Sequence, residues 1–124
     1  MRKLIIKLNH LPAPQLSPNQ LRRTHWTVRS NVMGIAKTEA AWLAKQQWIG
    51  QEPMSKARVS YEFFVKGKRR HDLDNFVSAM KAVLDGIVTA GVMIDDDMAH
   101  MEFGYIRASY SDRDETIILV EELA

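Results

Sequence analysis

The chain has 124 residues and no cysteine, which excludes disulfides, thiolate zinc sites and cysteine nucleophiles and fits a reducing compartment. Long apolar runs are missing too. Stretches such as residues 40–44 and 117–120 fall far short of the roughly 18 apolar residues a membrane span needs. Lys7 interrupts the apolar segment after Met1-Arg2-Lys3, which argues against a secretory leader, so a cytoplasmic protein is expected. Neither a G-x-x-x-x-G-K-[ST] loop nor a G-x-G-x-x-G turn occurs, so nucleoside triphosphate and dinucleotide binding have no support. The four histidines lack the regular spacing of zinc ligands. The length suits one domain, residues 1–124.

What the chain does have is segregated charge. Lys+Arg 17 against Asp+Glu 15 leaves only +2. Residues 1–70, however, hold 14 basic and 3 acidic side chains (net +11), whereas residues 71–124 hold 3 basic and 12 acidic ones (net −9). A basic surface for a polyanion beside a compact acidic site accounts for both halves, and nucleic acid with a metal ion is the pairing that fits.

Alternation predicts a strand over Arg2–Asn9, and the prolines between His10 and His25 predict an irregular arm. A helix is expected over Ala36–Trp48, with its upstream extent through Thr27–Met33 left open, ended by Gly50 and Pro53, and a strand over Arg58–Lys66. A second helix is expected from about Asp74 to Thr89, closing at Gly91. Two further strands, Met101–Tyr110 and Thr116–Glu122, are joined by the turn 111–114. The order β-α-β-α-β-β implies an α+β two-layer sandwich, a mixed sheet with two helices on one face.

Asp72 and Asp74 stand between a basic loop and a helix start, where Asp is more often an N-cap or a partner of the helix dipole than a metal ligand. At helical spacing Asp74, Ser78, Lys81 and Asp85 form a polar seam, while Phe76, Met80, Val83, Leu84 and Ile87 form the opposite, core-facing arc. Asp95-Asp96-Asp97 is a repulsive run placed directly after apolar Val92-Met93-Ile94, which should anchor it near the core. Hard divalent cations such as Mg²⁺, or Mn²⁺, take oxygen ligands, and two or three Asp side chains suffice when waters complete the shell. A cation so held generates a nucleophile and stabilises a leaving oxygen, and Lys81 would neutralise charge on the scissile phosphate.

Together, His71-Asp72-Leu73-Asp74-Asn75, then Lys81 and Asp85, then Ala90-Gly91-Val92-Met93-Ile94-Asp95-Asp96 resemble the RusA family of Holliday junction resolvases. The resemblance, which extends to length and element order, implies a homodimeric, Mg²⁺-dependent endonuclease that resolves four-way DNA junctions by paired nicks in recombination and repair. It places the metal carboxylates on Asp72, Asp74 and Asp96, with Asp95 or Asp97 as alternatives in a shifted register. The family's lysine follows the first aspartates at a shorter interval, where this chain has Ser78; Lys81 lies three residues later but keeps its spacing to Asp85.

Lys66, Lys68, Arg69 and Arg70 precede the acidic pair and are expected to guide phosphates, although an exposed solubilising loop would look the same. Arg22 and Arg23, near Arg29, His25 and Trp26, form a second basic group suited to phosphate contact and base stacking, with Trp26 equally suited to the core. Two other readings stand beside junction cleavage. One is a branched-DNA-binding protein without nuclease activity; the other is a metal-dependent nuclease for flaps or RNA.

Overall fold

In β1 (Lys3–Leu8) the alternation is realised directly: Leu4, Ile6 and Leu8 are buried, while Lys3, Ile5 and Lys7 are exposed. The computed structural model describes residues 1–124, apart from the side chains of Asn19 and Leu21. The arm that follows β1 is more regular than its prolines imply. Pro14 opens a 3₁₀ turn (Pro14–Leu16) and Pro18 opens the one-turn helix α1 (Pro18–Leu21). Proline is tolerated at a helix start because its missing N–H has no intrahelical partner there.

Helix α2 (Trp26–Gln47) includes the expected Ala36–Gln47 and takes in the whole upstream stretch that the pattern leaves open. Its N-cap is His25, whose ring accepts the N–H of Thr27 at 3.2 Å, a role that Ser, Thr, Asp or Asn more often fills. Val28, Ile35 and Trp42 lie exposed on one side while Ala40 and Ala44 are buried on another, so no clean helical period marks the upstream half.

Strand β2 (Ala57–Lys66) buries Val59, Tyr61, Phe63 and Val65. The expected second helix is two helices, α3 (Leu73–Ala79) and α4 (Lys81–Thr89), with a break at buried Met80. Met80, Val83, Leu84 and Ile87 are buried and Phe76 packs against them, so the apolar arc faces the core as its spacing requires. The break divides the polar seam, because Lys81 opens a new helix rather than continuing the old one.

β3 (Met101–Ser111) and β4 (Glu115–Glu122) complete a four-stranded mixed sheet in the order β1-β4-β2-β3. β4 runs antiparallel to β1 and β2, and β3 runs parallel to β2. The turn at 112–114 therefore does not close a hairpin: it crosses the end of β2, where Asp114 Oδ1 accepts the N–H of Lys66 at 2.8 Å. Between Val59 and Tyr61 the β2–β3 register shifts by a bulge, and the N–H of Tyr105 is taken up by the buried Ser60 hydroxyl at 3.2 Å. The class is α+β in two layers, with the sheet's apolar face covered by the helices.

Candidate functional site

The acidic turn is positioned by its apolar prefix. Met54 donates its N–H to the Val92 carbonyl at 2.8 Å and accepts from Ile94 N–H at 3.1 Å, forming a short parallel bridge across which Met54, Val92 and Met93 are buried. Ile94 departs from the expected anchor, since it is 52% exposed.

The three aspartates that follow do different things. Asp95 Oδ1 accepts the N–H of Asp96 at 2.7 Å. Asp97 Oδ1 accepts the N–H groups of Ala99 and His100, both at 3.1 Å, and lies 2.6 Å from His100 Nδ1. Asp96, the most buried of the three, instead directs its carboxylate to the Lys81 ammonium, which also donates to Asp85 at 2.9 Å. The lysine hydrogen bond holds the Asp96 carboxyl below the usual range, against the opposing effect of burial. Reciprocally, hydrogen bonds to Asp96 and Asp85 raise Lys81 above the ordinary lysine value. Tyr61 lies in the same field: burial, and then the charge of Asp96, push its hydroxyl up.

Asp72 occupies the N-cap position of α3, yet its side chain caps nothing and instead meets Arg70 Nη2 at 3.4 Å. Asp74 is exposed in the first turn of α3, where a negative charge suits the helix dipole. The expected convergence of Asp72, Asp74 and Asp96 is not present. Among the described residues no group of three or more His, Cys, Asp or Glu side chains is placed to hold a metal ion. Instead, the Asp96 carboxylate meets the Lys81 ammonium, and Asp72 meets the Arg70 guanidinium. The all-oxygen donor set has the chemistry a hard divalent cation takes, but this arrangement does not enclose one.

Lys66, Lys68, Arg69 and Arg70 are all exposed on the loop between β2 and α3, which turns at Gly67 (φ 88°) and is fixed where Tyr110 Oη donates to the Arg69 carbonyl at 2.9 Å. Arg22 and Arg23 are exposed just beyond α1, and Trp26 is exposed rather than core.

One feature escaped the sequence reading. A cavity of about 480 Å³ opens between the proline arm and α3, bounded by Pro12, Pro14, Phe76 and Ala79, with Asn75 and Asp72 among its polar groups. Asn75 is the last residue of the DLDN element, which was the available signal; the folding of the arm over α3 was not legible.

Compared with models of known protein families and with curated proteins, the sequence matches none. No helix among the described residues is long and apolar enough to cross a membrane.

Proposed function

We propose that this chain is a divalent-metal-dependent endodeoxyribonuclease of the RusA type that nicks branched DNA, with the four-way junction as substrate. The observation that supports the reading best is the delivery of Asp96, by a buried apolar anchor, onto Lys81 at the start of α4. The two motif elements from separate parts of the chain thereby come into direct contact. Asp72 and Asp74 open the helix just before it, and an exposed basic loop leads into them. Asp72, Asp74 and Asp96 are the proposed donors for Mg²⁺ or Mn²⁺. Binding of the ion requires these carboxylates to come together, with Asp96 exchanging its lysine partner. A homodimer is part of the proposal because a four-way junction presents paired equivalent strands that a two-fold enzyme matches.

The Lys81 ammonium seated between Asp85 and Asp96 favours a second reading, a protein that binds branched DNA without cutting it, because the acidic turn already has its cation. The deciding experiment is nicking of a labelled four-way junction with Mg²⁺ titrated against EDTA, run beside flap, duplex and RNA substrates at one salt concentration. Junction nicking that needs Mg²⁺ and is lost in Asp74→Asn and Asp96→Asn is the expected result. Junction binding without nicking under any divalent ion selects the second reading, and preferential cleavage of flaps or RNA removes the junction assignment.

A further inference from the structure

We infer that the cavity between the proline arm and α3 receives a single unstacked nucleobase of the bound strand, an inference that rests on the DNA-binding reading above. Its volume, about 480 Å³, lies within the range of about 300–1,000 Å³ typical of small-ligand sites. The walls have the composition a base requires. Pro12, Pro14, Phe76 and Ala79 give apolar surface, and the His71 ring lies over Phe76 with centroids 5.5 Å apart and planes inclined by 26°. That pair presents an aromatic slab at the same edge. The Asn75 side chain reaches the cavity and makes no hydrogen bond with any described residue, so its amide offers a free donor and a free acceptor to a base edge.

The charges choose between a base and a phosphate. Asp72 and Asp114 line the cavity together with Arg70 and His10, so its lining carries no excess of positive charge to draw in an anionic group. A neutral base carrying exocyclic amines meets acceptors it can use. The Arg70 side chain is 90% exposed and can exchange its 3.4 Å contact with Asp72 for the phosphate of the same nucleotide outside. A base stacked within a duplex cannot enter; a base splayed at a branch point or in a single strand can. The pocket would thus couple recognition of disrupted stacking to the acidic residues beside it, since Asp72 belongs to both.

The test uses the full-length protein in EDTA with a four-way junction carrying one 5-iodouracil at the branch point, irradiated and mapped by mass spectrometry, with gel-shift affinity measured in parallel. Crosslinking to His71 or Phe76 is expected. Asn75→Ala should reduce its yield about fivefold, and Ala13→Trp, which fills the cavity from the arm, should abolish it in a protein that still melts cooperatively. If Ala13→Trp does not fold, Asn75→Ala alone decides. Full junction binding with crosslinks only elsewhere, or with a yield indifferent to the folded variants, overturns the pocket while leaving DNA binding intact. Absence of any junction binding instead overturns the DNA reading itself, and the pocket with it.

Discussion

The ammonium of Lys81 touches the carboxylate of Asp96 across fifteen residues of chain, and the same nitrogen donates to Asp85 at 2.9 Å. One cation therefore reconciles two carboxylates from different segments. Lys81→Met should leave the fold intact and let the Asp96 carboxyl titrate at a higher pH, as read by carbon-detected NMR. Asp96 is depressed in the folded state, so its share of stability is present above about pH 4 and is lost as pH falls through its lower folded value. Lys81 is raised, so its share is present below about pH 10 and is lost as pH rises through its higher folded value. Urea unfolding of wild type and variant should differ by less than about 1 kcal/mol between those limits, because the lysine is largely exposed. Junction nicking, in contrast, should fall by about 100-fold or more if the ammonium also serves the phosphate. A variant that nicks normally would remove Lys81 from the reaction.

Asp96 and Asp97 are adjacent but should fail differently. Asp97 holds two backbone N–H groups and the His100 ring, so Asp97→Ala should lower stability by about 1–2 kcal/mol and spare most of the nicking activity. Asp96→Asn should unfold at nearly the wild-type urea concentration and have no detectable nicking. The reverse pattern would move the proposed metal ligand to Asp97.

Much of this architecture could be read from residue patterns, and the failures have specific causes. The alternation in β1 and β2 and the apolar arc ending at Ile87 follow from a period that burial imposes. The start of α2 was hidden because a histidine caps it and because its exposed side is also apolar. The break at Met80 was hidden because a buried methionine continues the apolar arc without interruption and neither Gly nor Pro marks the site. The placement of β4 between β1 and β2 was hidden because a short turn after β3 looks the same whether it closes a hairpin or crosses a strand end. At the site, the motif residues were legible. Of their pairings, Lys81–Asp85 follows from helical spacing, whereas Lys81–Asp96 and Arg70–Asp72 depend on how the acidic turn and the basic loop fold back.

Gly86 is fixed by contact rather than by backbone conformation. A methyl group there would press on the Lys37 carbonyl and the Ala40 side chain of α2. Alanine normally favours a helix interior by about 1 kcal/mol over glycine. Gly86→Ala should nevertheless destabilise by about 1–3 kcal/mol, because overpacking forces α2 and α4 apart. A thermal melt several degrees below wild type is expected; an unchanged or raised midpoint would show that the two helices separate at little cost.

His10 ties the proline arm to α2, with Nε2 at 2.7 Å from Glu39 and Nδ1 at 2.9 Å from the Leu11 carbonyl. Burial by itself lowers its pKa, but the two acceptors together outweigh burial and raise it above the ordinary histidine value. The protonated ring satisfies both acceptors, so the stabilisation is full below about pH 6.5 and fades as pH rises through the higher folded value. Melts from pH 5.5 to 8.5 should show wild type ahead of His10→Gln at the acidic end, by less than about 1 kcal/mol, with the gap closing at the basic end. A gap that widens with pH would mean that the neutral ring is the stabilising form.

The exposed loop between β2 and α3 carries the strongest expectation about DNA. Lys68, Arg69 and Arg70 project from a segment whose backbone is held by Tyr110 and Asp114, so removing their charges should leave the fold unaltered. Each phosphate contact releases condensed counterions, which makes the logarithm of affinity fall with the logarithm of salt by about 0.9 per contact on duplex DNA. Replacing all three with alanine should weaken junction binding at low salt and flatten that slope by about 2–3. Lys3→Ala, on the exposed side of β1 away from the loop, should leave the slope as it is. Equal slopes for the triple variant and wild type would mean that these side chains do not meet phosphates, and that the +11 charge of residues 1–70 acts through another surface.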